Sequence, residues 1–311
     1  MEKQKTIVFK VSDKKKEKMI DYYKDMVTGK PPYSIFQVKD YDCVTTLYES
    51  GKVMFQGIGA DIEANMWKDL ESHFNDRNID EEIKEKEEKL NNKEYYYYDA
   101  IGSDEVGTGD YFGPIIVTAT LVDKTNRKLL EDLKIMDSKK MTDDKIRRCA
   151  PIIMKKIPYV TFTLSNKKYN ELSSKGFNMN KIKAVLHNKV LYELSNKGIP
   201  YHKIIVDQFT TPKSYFTYLK QEKIEEKVTK ITFITKGESA HLSVAAASVI
   251  SRFLFLEEID KLSEKYKITI PKGASDKVDE VAKQIVNRYG KDELLKIAKL
   301  NFKNTEKISK K

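Results

Sequence analysis

The chain has 311 residues, 40% hydrophobic and 33% charged, with 57 Lys+Arg against 47 Asp+Glu. That balance argues against disorder, and no apolar run is long enough to cross a bilayer. The net charge of +10 points to a polyanionic partner, and two distant cysteines, Cys43 and Cys149, argue against a disulfide framework or a zinc site.

The opening segment, Met1–Lys10, has no apolar core or small-residue cleavage site and reads as the start of a mature, cytoplasmic protein. Thr6–Val11 alternates as a strand does. Ser12 then caps a helix whose apolar side is Met19, Ile20, Tyr23, Met26 and Val27, ended by Gly29 and Pro31–Pro32. Strands are expected at Tyr33–Val38, Asp42–Glu49 and Lys52–Gln56, the last two joined by a turn at Ser50–Gly51. A second helix carries Ile62, Met66, Trp67, Leu70 and Phe74 on one side. The order is that of a small α+β domain over residues 1–74, with helices on one face of an antiparallel sheet.

Residues 75–95 form a charged linker, with helical character expected around Glu81–Leu90 from its Glu/Lys pairs. Tyr95–Tyr98 then begin the first strand of a domain covering 96–311. Net charge is 0 over residues 1–73, −3 over 74–98 and +13 over 99–311, so the positive excess lies in the C-terminal two-thirds. Its strands are expected at Tyr96–Gly102, Ile115–Val122, Tyr159–Leu164, Lys203–Val206 and Lys230–Thr235. Its helices are expected at Thr142–Ile153, Asn180–Asn196, Lys213–Glu225, Ser239–Tyr266, Asp276–Tyr289 and Asp292–Leu300. Close-set early strands followed by alternation with helices give a mixed sheet flanked by helices.

Three of those strand ends present acids: Asp104–Glu105 just past the first, Asp207 at the tip of KIIVD, and Glu238 after the last. In open α/β sheets ligands gather at the carboxyl ends of strands. Crowded carboxylates repel, and a hard divalent cation, Mg2+ or Mn2+, is the natural counter-charge. Two such ions about 3.5–4 Å apart can clamp an in-line phosphoryl displacement. His73, His187, His202 and His241 are scattered without zinc spacing. Gly107, Gly109 and Gly113 would let the backbone approach a phosphate, although no GxxxxGK[ST] motif is present.

The segment GSDEVGTGDYFGP resembles the first signature of the type 2 ribonuclease H superfamily, and specifically of ribonuclease HIII. The likeness continues through Asp137–Met141, Asn178–Asn188, Val206–Phe209, Lys236–Arg252, Pro271–Ser275 and Asn301–Thr305. It implies an RNase H-like α/β fold with a five-stranded mixed sheet, and a TATA-box-binding-protein-like N-terminal domain whose sheet lies on the substrate. It implies metal ligation by Asp104, Glu105 and Asp207, with Glu238 as a fourth acid where Asp is commoner. It implies that Gly107–Thr108–Gly109 lies against the substrate backbone. Thr108 stands where type HII enzymes carry arginine, and Asn301 where relatives often carry histidine, so a role for that histidine does not transfer.

Further substrate-binding candidates are Ser138, Lys139 and Lys140, and on one helix Lys183, His187 and Asn188, with Lys183 and His187 sharing a face at i, i+4. Tyr48, Phe55 and Gln56 are candidates for contacts from the N-terminal sheet. Ala245–Ala247 reads as close helix packing. The expected function is an endoribonuclease that cuts the RNA strand of RNA–DNA hybrids by a two-metal-ion mechanism, leaving 5′-phosphate and 3′-hydroxyl ends. No membrane association is expected, and no obligate protein partner is evident in the sequence. The alternatives are a type HII-like junction ribonuclease and a non-catalytic hybrid-binding protein.

Overall fold

Strand pleat organises the N-terminal unit. In the computed structural model β1 (Lys5–Lys10), β2 (Ser34–Lys39), β3 (Cys43–Tyr48) and β4 (Lys52–Gly57) pair antiparallel in the order β1-β4-β3-β2. Phe9, Phe36, Val38, Leu47, Val53 and Phe55 turn to one face. There they meet Met19 and Tyr23 of α1 (Asp13–Tyr23) and Trp67 of α2 (Ala60–Asn75). Ser12 caps α1, its Oγ accepting the Lys15 N–H at 3.4 Å.

The structure describes residues 5–83, 95–135, 141–235 and 237–309, and the chain divides into two units, Met1–Leu90 and Asn91–Lys311. The first unit's core takes in Ile79, past the expected boundary at residue 74. Several expected apolar contacts are absent. Helix α1 stops at Tyr23 and a 3-10 turn follows, so Met26 and Val27 lose the helical phase and are exposed; Ile20 is exposed as well. Ile62, in the first turn of α2, is 74% exposed. Phe74 is also outside the core and covers the Lys15 ammonium at 4.0 Å. Phe55 is core, whereas Tyr48 and Gln56 turn to the opposite, open face of the sheet.

The second unit is built on β5 (Ala100–Val106), β6 (Ile115–Val122), β7 (Tyr159–Leu164), β8 (Lys203–Asp207) and β9 (Thr232–Ile234). Their order is β7-β6-β5-β8-β9. The β5–β8 and β8–β9 pairs are parallel, while β5–β6 and β6–β7 are antiparallel, which gives the expected mixed five-stranded sheet. Tyr95–Tyr98 do not begin β5: they form a turn, with the Tyr98 N–H on the Tyr95 carbonyl and the Lys203 ammonium over the Tyr95 and Tyr98 rings.

Helices cover both faces, as a buried sheet requires. After α3 (Arg127–Asp132), α4 (Asp143–Lys156) lies on one side. After α5 (Asn166–Ser174), α6 (Met179–Ser195) lies on the other, burying Ile182, Leu186 and Val190 against Ile101, Val117 and Val206. Next come α7 (Pro212–Gln221) and the single turn α8 (Gly237–Ala240). The long α9 (Leu242–Tyr266) covers the α4 side of the sheet with Leu242, Ala245, Ala246 and Val249. The small residues let it sit close. A Cβ on Gly102 of β5 would stand 2.3 Å from Ser243 Oγ and 2.5 Å from the Val244 nitrogen. The chain then forms α10 (Asp276–Tyr289), α11 (Leu294–Ile297) and α12 (Lys303–Ser309). No helix among the described residues is long and apolar enough to cross a membrane.

Candidate active site

Asp104 and Glu105 do not follow the first strand; they lie inside it. The eight-residue β6 carries its ladder as far as Val106↔Ile116, so β5 extends through both acids. The pleat then separates them. Ser103 and Glu105 turn toward α6, and Asp104 turns toward α9.

On the α9 side Asp104 is 7% exposed. Register places it beside Asp207, since Ser103 pairs with Val206 on the parallel β8. Burial, with repulsion from Glu105 and Asp207, holds the Asp104 carboxyl well above the usual range, against the opposing Ser248 hydroxyl and Glu105 N–H. The Ser251 hydroxyl fixes the strand here by donating to the Asp104 carbonyl at 3.2 Å. Asp207 Oδ1 accepts the Gly237 N–H at 2.8 Å, which ties the end of β8 to α8 and to buried Glu238. Thus Asp104, Asp207 and the Glu238 turn meet at the carboxyl ends of parallel strands.

On the α6 side Lys183 Nζ lies 2.5 Å from Glu105 Oε1. His187 Nε2 lies 2.8 Å from Glu105 Oε2, and its Nδ1 lies 2.8 Å from Ser103 Oγ. Burial pushes the Glu105 carboxyl up, but the hydrogen bond and charge of His187 and the charge of Lys183 outweigh it and hold the group below its usual range. The i, i+4 pairing of Lys183 and His187 therefore has a target in Glu105. His187 is fully buried, so it orients a carboxylate and does not face a ligand. Asn188 points elsewhere, donating to the Glu226 carbonyl and accepting the Val228 N–H, and holds a loop. Ser138, Lys139 and Lys140 lie outside the described residues.

The glycines of the first signature divide in two. Gly107 and Gly113 have φ of +96° and +81°, and a side chain on either would strike Pro114, Phe255 or Ile259, so the fold itself demands them. Among the described residues nothing lies within 4 Å of a Cβ position on Gly109, which is exposed.

Lys299, which the sequence did not single out, shapes this loop. It is fully buried, and its Nζ donates to the carbonyls of Asp110 at 2.8 Å and Gly113 at 2.5 Å. Burial lowers its pKa to about 7. The Lys299 N–H donates to the Tyr111 carbonyl, and the Gly273 N–H donates to Asp110 Oδ1. Asn304 donates to the Ala274 carbonyl at 3.1 Å. The Pro271–Ser275 and Asn301–Thr305 segments thus brace the glycine loop. Asn301 accepts the Tyr169 hydroxyl at 3.0 Å.

Asp104, Glu105, Asp207 and Glu238 offer only hard oxygen donors, two of them close enough to raise a carboxyl's pKa, which suits a hard divalent cation. Among the described residues no three acid, histidine or cysteine side chains already surround one ion-sized point. The pleat and the Lys183–Glu105 pair explain this, since Glu105 is drawn to the opposite face from Asp104.

Residues 101–305 match the family model for ribonuclease HII, so the second unit is an RNase H-type endonuclease. Residues 6–78 match a domain described only as of unknown function, DUF3378. The chain is 40% identical to ribonuclease HIII of Bacillus cereus over 313 residues, covering 97% of each, and 41% identical to that of Bacillus velezensis over 312, covering 97% and 96%. It superposes on a crystal structure of Bst-RNase HIII in complex with Mn2+ with a TM-score of 0.68 and 35% identity, covering 98% of each chain. The chain belongs to the ribonuclease HIII family.

Proposed function

We propose that the chain cuts the RNA strand of RNA–DNA hybrids, with Asp104, Glu105, Asp207 and Glu238 holding two divalent ions, Mg2+ or Mn2+. The juxtaposition of Asp104 and Asp207 at parallel strand ends carries this reading. The Mn2+ complex of the similar Bst enzyme supports the choice of ion. When bound, such ions neutralise phosphoryl charge and acidify the attacking water. The protein's own part is positioning. His187 and Ser103 fix one edge of Glu105, Ser251 fixes β5 at Asp104, and the Gly237 N–H fixes Asp207. The open space at Gly109 supports reading Thr108–Gly109 as a place where a sugar–phosphate backbone approaches the chain. A 2′-hydroxyl beside the scissile phosphate distinguishes RNA from DNA. In-line attack by water leaves 5′-phosphate and 3′-hydroxyl ends and no cyclic phosphate.

The test is cleavage of a labelled hybrid with Mg2+, with Mn2+ and with chelator, alongside Asp207→Asn. The expected outcome is metal-dependent cutting that falls by at least about a thousandfold in the variant. Metal-independent cutting, or 2′,3′-cyclic ends, overturns the mechanism. Thr108 in place of arginine favours runs of ribonucleotides, so a substrate with four should be cut far better than one with a single embedded ribonucleotide. The reverse preference would support the junction-ribonuclease reading. No cutting under any metal would support the hybrid-binding one.

A further inference from the structure

Lys183 sits directly on one of the acids of the candidate metal site. It rises from the first turns of α6 with its ammonium on Glu105 Oε1 at 2.5 Å and 4.2 Å from the centre of the Phe209 ring. Its side chain is only 13% exposed, and that of Glu105 11%. The other Glu105 oxygen is taken by His187, itself fixed by Ser103. Both oxygens of the carboxylate are therefore engaged from the α6 side, while Asp104 and Asp207 face the other way. A hard cation that draws on Glu105 must take an oxygen from Lys183, because His187 is locked in the core and Lys183 hangs on a flexible four-carbon stem.

We propose that Lys183 is an internal counter-cation of Glu105 that competes with divalent ions for that carboxylate and so weakens the site's metal affinity. The inference rests on the reading of Glu105 as a metal ligand. Physically, two positive charges cannot both sit on one partly buried oxygen without strong repulsion, so whatever free energy binds Lys183 to Glu105 is subtracted from metal binding. A charge-assisted contact of this burial corresponds to roughly a tenfold effect on the dissociation constant. The gain to the protein is that Glu105 has a counter-charge without metal, and a substrate phosphate that brings further metal contacts would tip the exchange.

The experiment is a titration with Mn2+ alone, followed by the loss of the free-ion electron paramagnetic resonance signal, on the full chain without nucleic acid. Lys183→Met is expected to bind Mn2+ about tenfold more tightly than wild type. Lys183→Arg, which keeps the charge, is expected to stay within about twofold of it. Lys183→Gln, also uncharged and compatible with a helix, gives the second reading should the methionine variant not fold. Unchanged or weaker Mn2+ binding in the uncharged variants overturns the proposal. Asp104→Asn and Glu105→Gln separate the two levels. If neither weakens Mn2+ binding, the acids are not the ligands and the parent reading falls. If both weaken it while the uncharged Lys183 variants do not tighten it, the competition alone falls.

Discussion

His241 fills a residue-sized role that decides where the acid-bearing turn ends. Its Nδ1 accepts the Ser243 N–H at 3.0 Å and faces the Ser243 hydroxyl at 2.7 Å, so it caps α9. Its Nε2 donates to the Tyr98 carbonyl at 3.0 Å. This pattern requires a neutral ring, and burial lowers its pKa from 6.5 to about 4. The sign follows from linkage: between those values the unfolded chain binds a proton that the folded chain refuses. Stability from this group is present above about pH 6.5 and is lost as pH falls toward 4. Urea unfolding at pH 7 and pH 5 should therefore differ by about 2 kcal/mol more in wild type than in His241→Asn, which keeps a capping oxygen but does not titrate. Equal losses in the two proteins would remove His241 as the source. The same residue breaks the continuous helix that the sequence leads one to expect over Ser239–Tyr266, because a side chain that accepts from its own i+2 nitrogen stands in for the missing helical carbonyl.

Among the elements, those with sharp chemical boundaries were legible. Ile115–Val122, Tyr159–Leu164 and Asp276–Tyr289 fall where the apolar periodicity places them, bounded by Pro114, Pro158 and Ser275. Strand β5 starts later than the four tyrosines suggest, because they have strand propensity while Lys203, far along the chain, packs over their turn. That shift hid the pleat, and with it the fact that neighbouring acids serve opposite faces. Helices α3, α5 and α12 are short and owe their existence to packing more than to pattern. Lys183 and His187 could be paired from their spacing, but their target could not, since it depends on how α6 crosses β5. Two glycines sharpen the contrast between scaffold and surface. Gly102→Ala must push α9 off the sheet and should cost more than about 3 kcal/mol or prevent folding. Gly109→Ala meets nothing, so its melting temperature should match wild type, while KM for a hybrid should rise several-fold if nucleic acid occupies that space. Thermal melts and steady-state kinetics on the pair check both, and an unaltered KM in Gly109→Ala would leave that space without a role.

For the molecule as a whole, positive charge and acids share the second unit, while the first has no net charge over residues 1–73 and offers an open sheet face bearing Tyr48 and Gln56. The net charge that would attract a polyanion over long range therefore lies in the second unit, and the first adds none. The brace on the glycine loop has a consequence in time. A chain made from its N-terminus acquires all four acids by Glu238, yet the loop beside them has its supports only when Lys299, Asn304 and Thr305 arrive. A nascent or truncated chain would own the acids without a shaped surface to hold a strand against them. Ending the chain at Ala298 should leave far-ultraviolet circular dichroism close to wild type and reduce hybrid cutting by at least about a hundredfold, and full activity in that truncation would show that the loop needs no brace. Holding the acids and shaping the surface beside them are thus separate tasks, given to stretches of chain about sixty residues apart.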